Sequence, residues 1–129
     1  MGKQEQIQHW VNTSKIDWET AEDLLKLKRF MHSLFFFHLV IEKLLKAHWV
    51  KDNLNDIPPF SHNLESIYNQ TDLELSTENV DELRALSAWN LEGRYPDYQN
   101  KIARQATEKY TLNKYEIVKR IRQCLLEKL

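Results

Sequence analysis

Two lysines, a histidine and an Arg-Tyr pair are side chains whose types suit a phosphate-bearing ligand. They are Lys43, Lys46, His62, Arg94 and Tyr95. Lysine binds phosphate as a mobile point charge, whereas arginine offers a planar fork of donors. Lys43 and Lys46 are three residues apart, so both could reach one polyphosphate, and Tyr95 could stack on a base. These residues predict a nucleotide- or phosphate-binding site.

The lysines also have a structural interpretation, which the sequence leaves open. Glu42 and Lys46 are four residues apart and can pair on one helix face, a contact worth about 0.3–0.5 kcal/mol. Lys43 and Lys46 can instead lay their aliphatic stems over the edge of the core and keep their amines in water.

The histidines and the cysteine do not form a metal-binding pattern. His62 follows Ser61, an expected helix cap, where a histidine commonly satisfies a local backbone group. His38 and His48 fall within apolar helical sequence and are expected to be packing residues. No two histidines are four residues apart, and Cys124 is the single cysteine, so we predict neither a metal site nor a cofactor.

Hydrophobic periodicity predicts five helices that would position these side chains. The predicted helices are, in chain order, 14–28, 30–51, 61–69, 77–91 and 107–128, with caps at Ser14, Ser61 and Ser76 or Thr77. Pro58 and Pro59 predict a loop over 53–59, and Gly93 with Pro96 predicts another over 94–100. The pattern indicates an all-α fold, an up-and-down four-helix bundle with an additional short helix, in a single domain over 1–129.

The second predicted helix is apolar nearly all the way round. Besides its main stripe it carries Phe35, Phe36, Leu39 and Val40 on the other side. In a chain of this size, the extra apolar face is expected to meet a second subunit. We therefore predict a homodimer whose interface contains these four residues.

Composition favours a cytoplasmic protein without membrane contact. The lone cysteine cannot form an internal disulfide, and no apolar run approaches the ~20 residues that a membrane-spanning helix needs. The first twelve residues are polar, unlike a signal peptide. The net charge of −1 conceals a basic segment over 94–129, whose nine Lys/Arg and four Asp/Glu give +5. That segment can attract phosphates or form a solvated helix face.

Three motifs in order resemble those of the HEPN family (higher eukaryotes and prokaryotes nucleotide-binding), in its small stand-alone prokaryotic type. A long second helix carries Glu42-Lys43 and Lys46-Ala47, a proline-containing loop leads to Ser61-His62-Asn63-Leu64, and Arg94-Tyr95-Pro96-Asp97 follows the fourth helix. Together they cover about residues 37–97, and their specificity lies in the series.

The resemblance implies a nucleotide-binding or accessory module. Such domains are small bundles, often homodimers, that bind nucleotide or nucleic acid. They are often encoded beside a small nucleotidyltransferase, in toxin–antitoxin-like pairs, so the implied partners are a second copy, a nucleotidyltransferase protein, and nucleotide or RNA.

Catalysis is the least supported property, and an enzymatic role is left uncertain. Ribonuclease members of the family resemble one another in an Arg followed, after four to six residues, by a His, and this chain lacks that spacing. We therefore predict no catalytic residues. Two alternatives stay open: a purely structural homodimeric interaction protein, and a toxin-type ribonuclease in which Arg94 and His62 form a displaced active site.

Overall fold

The computed structural model describes residues 2–129 and is 71% helical. Over those residues it contains six helices and no strand: α1 Lys3–Lys26, α2 Phe30–Asp52, α3 Leu64–Tyr68, α4 Thr77–Ser87, α5 Pro96–Ala103 and α6 Glu108–Glu127. The predicted all-α bundle is confirmed, although two short helices, α3 and α5, accompany the longer four.

α1 and α2 form a helical hairpin whose connection, Leu27–Arg29, is three residues long. Lys28 adopts a left-handed φ of 61°. The Arg29 N–H donates to the Leu24 carbonyl at 2.8 Å, which ends α1 in a Schellman turn. At the opposite end of the hairpin, Lys3 Nζ donates to two backbone carbonyls at the end of α2, each at 2.6 Å. Both ends of the hairpin are thus closed by hydrogen bonds.

The predicted start of the first helix was wrong. Ser14 lies in the middle of α1, is buried, and donates its hydroxyl to the Val11 carbonyl at 2.7 Å. A serine can bond back to the preceding helical turn as well as cap a helix, and sequence alone does not separate the two uses. Residues 3–13, which precede the predicted start, therefore belong to the same long helix.

α2 is the central helix of the bundle and packs against α1, α3, α4 and α6. Fourteen of its 23 residues are buried, so most of its all-round apolar surface is covered within one chain. Val40 has no exposed surface. Its assignment to the dimer interface was therefore wrong, because a side chain enclosed by the core of its own chain cannot contact a second copy. Phe35, Phe36 and Leu39 are half-buried. None of the helices between residues 2 and 129 is both long and apolar enough to cross a membrane.

The third helix begins later than predicted and has a different cap. Asn63 Oδ1 accepts a hydrogen bond from the Ser66 N–H at 3.0 Å, which makes Asn63 the cap of α3. Ser61 lies in the preceding turn, where its hydroxyl accepts from the Asn63 N–H at 3.1 Å. The loop predicted over 53–59 is confirmed and extends to the start of α3.

The segment predicted as a loop over 94–100 contains the start of α5 instead. Pro96 is the first residue of this helix, where its fixed φ suits the first turn and its missing N–H leaves no partner unsatisfied. The Tyr98 hydroxyl donates to the Ala88 carbonyl at 2.7 Å, which joins α5 to the end of α4. α4 itself ends at Ser87, earlier than predicted.

The last helix agrees with its prediction to within about a residue. Thr107 caps α6 by accepting from the Tyr110 N–H at 3.2 Å. The buried face of α6 packs against α2. Between these helices, the His48 ring nitrogen Nε2 of α2 forms a hydrogen bond of 2.8 Å with the Leu125 carbonyl of α6. His48 is fully buried, as expected of a packing residue.

Candidate functional site

A small cleft of about 190 Å³ lies where the loop before α3 meets the segment that follows α4. It is lined by His62, Asn63, Ser87, Asn90 and Arg94. The cleft therefore brings together two of the five residues proposed from the sequence, His62 and Arg94, although they are far apart in the chain.

Hydrogen bonds between the two segments fix the walls of the cleft. The Leu64 N–H donates to Ser87 Oγ at 3.2 Å, while the same hydroxyl donates to the Leu83 carbonyl at 3.0 Å. Asn90 is 8% exposed, and its Oδ1 accepts from the Glu92 N–H at 3.1 Å. The cleft thus has walls that are positioned by the fold.

A buried carboxylate, Glu42, orients the His62 ring. Glu42 Oε1 lies 2.8 Å from His62 Nδ1, and its Oε2 accepts from Lys46 Nζ at 3.1 Å. Glu42 and Lys46 are only 4% and 5% exposed. When Nδ1 donates to the carboxylate, Nε2 is the ring nitrogen left for other contacts, because a bond to one nitrogen sets the tautomer.

His38 forms a hydrogen bond with the backbone carbonyl of His62. Its Nε2 lies 3.0 Å from the His62 carbonyl oxygen and 3.8 Å from Glu42 Oε1. Burial lowers the pKa of His38 below its ordinary value, and the backbone bond and the Glu42 charge only partly oppose this. A neutral His38 with its proton on Nε2 donates to the carbonyl, which leaves the buried Nδ1 without a partner. His38 is thus a packing residue, as expected, and also an anchor for His62.

Arg94 is the cation of the cleft that has no carboxylate partner. Its guanidinium carbon lies 4.6 Å from the centroid of the Tyr98 ring. The ion pairs found in the described chain, residues 2–129, do not include it. Tyr95, the next residue, is 81% exposed. Glu92 brings an opposing charge, since its Oε2 lies 3.5 Å from His62 Nε2.

The two lysines proposed from the sequence do not line the cleft. Lys46 is buried between Glu42 and the Trp10 ring, whose centroid lies 5.5 Å from its Nζ. Lys43 instead pairs with Asp17 of α1 at 2.5 Å. It follows Glu42 by one residue, which turns it about 100° around the helix and away from His62.

Sequence reasoning missed several residues that shape this region. Glu42 was expected to pair with Lys46 alone, although His38, Glu42 and Lys46 follow one another at four-residue spacing, which was an available signal. Ser87 and Asn90 gave no signal, because nothing local distinguishes them from other polar residues near a helix end.

The chemistry available in the cleft is that of a cationic fork and an oriented imidazole. A guanidinium donates to phosphate oxygens, and the second nitrogen of an imidazole does so in the doubly protonated ring, where both nitrogens carry a proton. Among residues 2–129, no three His, Cys, Asp or Glu side chains are grouped to hold a metal ion.

The fold and the cleft define an all-α bundle protein with a guanidinium and a carboxylate-oriented imidazole at its surface. A model of the HEPN domain matches residues 7–129, and the chain therefore belongs to the HEPN family. Membership supports a nucleotide-binding or ribonuclease-like module at the level of the family, whose domains commonly act as dimers. Comparisons with curated proteins and with solved structures give no match.

The buried Glu42–Lys46 pair leads to a stability prediction. Lys46→Met removes the cationic partner of a buried carboxylate, and we expect the free energy of unfolding to fall by about 3 kcal/mol in urea denaturation. The double variant Glu42→Gln, Lys46→Met should regain most of the loss, since no buried charge is left unpaired. Lys43→Met, at a more exposed pair, is the control and should cost less. Equal losses in the two lysine variants would contradict this account.

Proposed function

We propose that this chain is a non-catalytic HEPN module that binds a phosphate group of a nucleotide or of RNA in the cleft at His62 and Arg94. The observation that carries the proposal is the placement of the unpaired Arg94 guanidinium beside an imidazole whose Nδ1 lies 2.8 Å from the buried Glu42. Family membership supports nucleotide binding in general terms. The absence of the Arg…His spacing from the sequence favours binding over cleavage.

The size of the cleft supports recognition of part of a ligand. At about 190 Å³ it is smaller than the roughly 300–1,000 Å³ of sites that enclose drug-sized molecules. A phosphate group fits this scale, while the rest of the ligand would lie on the surface. Tyr95 and Phe60, which are 81% and 96% exposed and follow or precede the cleft residues closely in the chain, offer ring faces to a base there.

Titration calorimetry of the full chain with nucleoside triphosphates tests this proposal. We expect Arg94→Gln to weaken binding at least about tenfold, because a hydrogen bond to a charged group is lost. Glu92→Gln should strengthen binding by about two- to fivefold, since it removes an exposed carboxylate near His62 Nε2. Arg84→Gln is the matched control, because Arg84 carries the same charge but already pairs with Glu65 and Asp81.

Nucleotide binding is refuted if the unmodified chain binds nucleoside triphosphates no more tightly than in the millimolar range. Binding at the cleft is also refuted if Arg84→Gln and Arg94→Gln weaken binding equally, since the loss would then reflect overall charge and not the cleft.

We propose that the module is a homodimer through the half-buried face of α2 formed by Phe35, Phe36 and Leu39. Phe35 and Phe36 pack edge to face, with ring centroids 5.6 Å apart, and so present one continuous apolar surface. The HEPN resemblance extends the proposal to a small nucleotidyltransferase as partner protein, and the lone cysteine agrees with a cytoplasmic setting.

Sedimentation velocity of charged variants tests the dimer. Phe36→Glu should convert a dimer to a monomer, because it places an unpaired carboxylate in an apolar contact. Leu112→Glu introduces the same charge at an exposed apolar residue of α6 and should leave the dimer intact. A monomeric unmodified chain would show that this face of α2 is not an interface.

A ribonuclease is the second candidate function, and one observation favours it. The contact of Glu42 with His62 Nδ1 is the arrangement in which a carboxylate orients an imidazole for proton transfer. In such a reaction His62 Nε2 would take the proton from a ribose 2′-hydroxyl while the 2′-oxygen attacks the adjacent phosphorus. The bond from phosphorus to the 5′-oxygen would break, and the proton would pass from His62 to that oxygen, which leaves a 2′,3′-cyclic phosphate and a 5′-hydroxyl. Arg94 would stabilise the charge that develops on the phosphate oxygens.

Incubation of the purified chain with single-stranded RNA separates the two functions. The ribonuclease requires cleavage that leaves cyclic phosphate or 2′/3′-phosphate ends and that both His62→Ala and Arg94→Ala abolish, while Arg84→Ala retains it. We expect no cleavage above the background of a His62→Ala preparation, as the binding function predicts.

A further inference from the structure

A second groove, of about 350 Å³, lies between α1 and α6 and shares no lining residue with the cleft at His62. It is lined by Trp18, Glu116, Lys119, Arg120, Arg122 and Gln123. The lining thus contains three cationic side chains and one carboxylate. This α6 face belongs to the basic segment noted in the sequence, and the proposed function does not use it.

Aromatic rings form the floor beneath two of these cations. The Trp18 and Tyr115 rings stack with centroids 5.4 Å apart and an interplanar angle of 11°. The Arg122 guanidinium carbon lies 5.0 Å from the Trp18 ring centroid, and Lys119 Nζ lies 5.8 Å from that of Tyr115. The ring faces attract the cations by cation–π interaction but carry no net negative charge, so the positive charges are held in place and not neutralised.

The guanidinium of Arg122 is incompletely satisfied. Among residues 2–129, no carboxylate oxygen lies within 4.0 Å of a side-chain nitrogen of Lys119, Arg120 or Arg122, so none of them forms an ion pair. In addition, Arg122 Nε is buried without a hydrogen-bond partner. Burial lowers the pKa of Arg122, which Glu22 and Glu19 of α1 only partly oppose. Glu22 is already engaged, since its Oε2 accepts from the Tyr115 hydroxyl at 2.7 Å.

We propose that the groove of Lys119, Arg120 and Arg122 is a second anion-binding site, which takes a phosphate group independently of the cleft at His62. The planar fork of Arg122 can donate to two phosphate oxygens, and the other two side chains add positive charge at the rim. Because Arg122 and Tyr115 already cover the Trp18 ring, the floor offers no free face for a base. The groove therefore recognises phosphate without regard to base identity.

The phosphate has two sources, a nucleic acid backbone and a free polyphosphate, and the full chain should be titrated with both. The probes are a short fluorescently labelled single-stranded RNA and inorganic tripolyphosphate. Arg122→Gln should weaken binding of at least one probe about tenfold and reduce the slope of log affinity for RNA against log salt by about 1. Arg84→Gln, which removes an equal charge already paired elsewhere, should change neither. Loss for RNA alone assigns the groove to the backbone, and loss for tripolyphosphate alone assigns it to free polyphosphate.

Further variants protect the result against misfolding and against binding at the cleft. Lys119 is exposed, so Lys119→Gln should keep the fold and still weaken binding about threefold. In an Arg94→Gln background, which weakens binding at the cleft, the Arg122-dependent binding should persist. The second anion site is refuted if Arg122→Gln and Lys119→Gln bind both probes as the unmodified chain does, and this outcome leaves the proposed function of the cleft at His62 untouched. The second site is also refuted if Arg94→Gln alone removes all binding.

Discussion

The Glu42 carboxylate lies inside the bundle, and much of the structure near the candidate site follows from the need to satisfy it. A buried charge is costly unless it is paired and hydrogen-bonded. Lys46 Nζ and His62 Nδ1 meet the two carboxylate oxygens, at 3.1 Å and 2.8 Å. His38, one helical turn before Glu42, bonds the His62 carbonyl at 3.0 Å. Side chain and backbone of one loop residue are thus both fixed by the central helix, which sets where the cleft lies.

Helix existence could be predicted from sequence far better than helix ends. α2 was predicted within a residue because its apolar pattern is long and is bounded by the Lys28 turn and the prolines. Two of the errors at helix ends share a physical origin: a residue type that often begins or ends a helix also has a use inside a helix or in its first turn. Ser14 bonds back to the preceding turn within α1, and Pro96 begins α5 instead of holding a loop.

The candidate site was predictable only in part, because sequence spacing reports the face of one helix and not what covers it. His62 and Arg94 share a cleft, whereas Lys43 and Lys46, chosen for the same chemistry, are occupied by carboxylates. One lysine faces α1 and the other faces the interior. That difference depends on how the neighbouring helices pack. Glu42 was recognisable as a partner of Lys46, but its contact with His62 spans a loop whose course the sequence does not specify.

The basic segment over 94–129 shows why a count of charges does not define a surface. Lys114 is neutralised by Glu82 of α4 at 2.7 Å. Arg94 and Arg122 instead rest on aromatic rings, at 4.6 Å and 5.0 Å from the ring centroids. A carboxylate cancels the positive charge, whereas a ring orients it and leaves it in the local field. Whether each of these cations can meet an anionic ligand is therefore decided by the partner beneath it. Arg94 and Tyr98 are four residues apart at the start of α5, whereas Lys114 and Arg122 meet their partners on α4 and α1 only because the bundle packs them together. Packing therefore divides one basic stretch of sequence into a neutral contact and separate cationic surfaces.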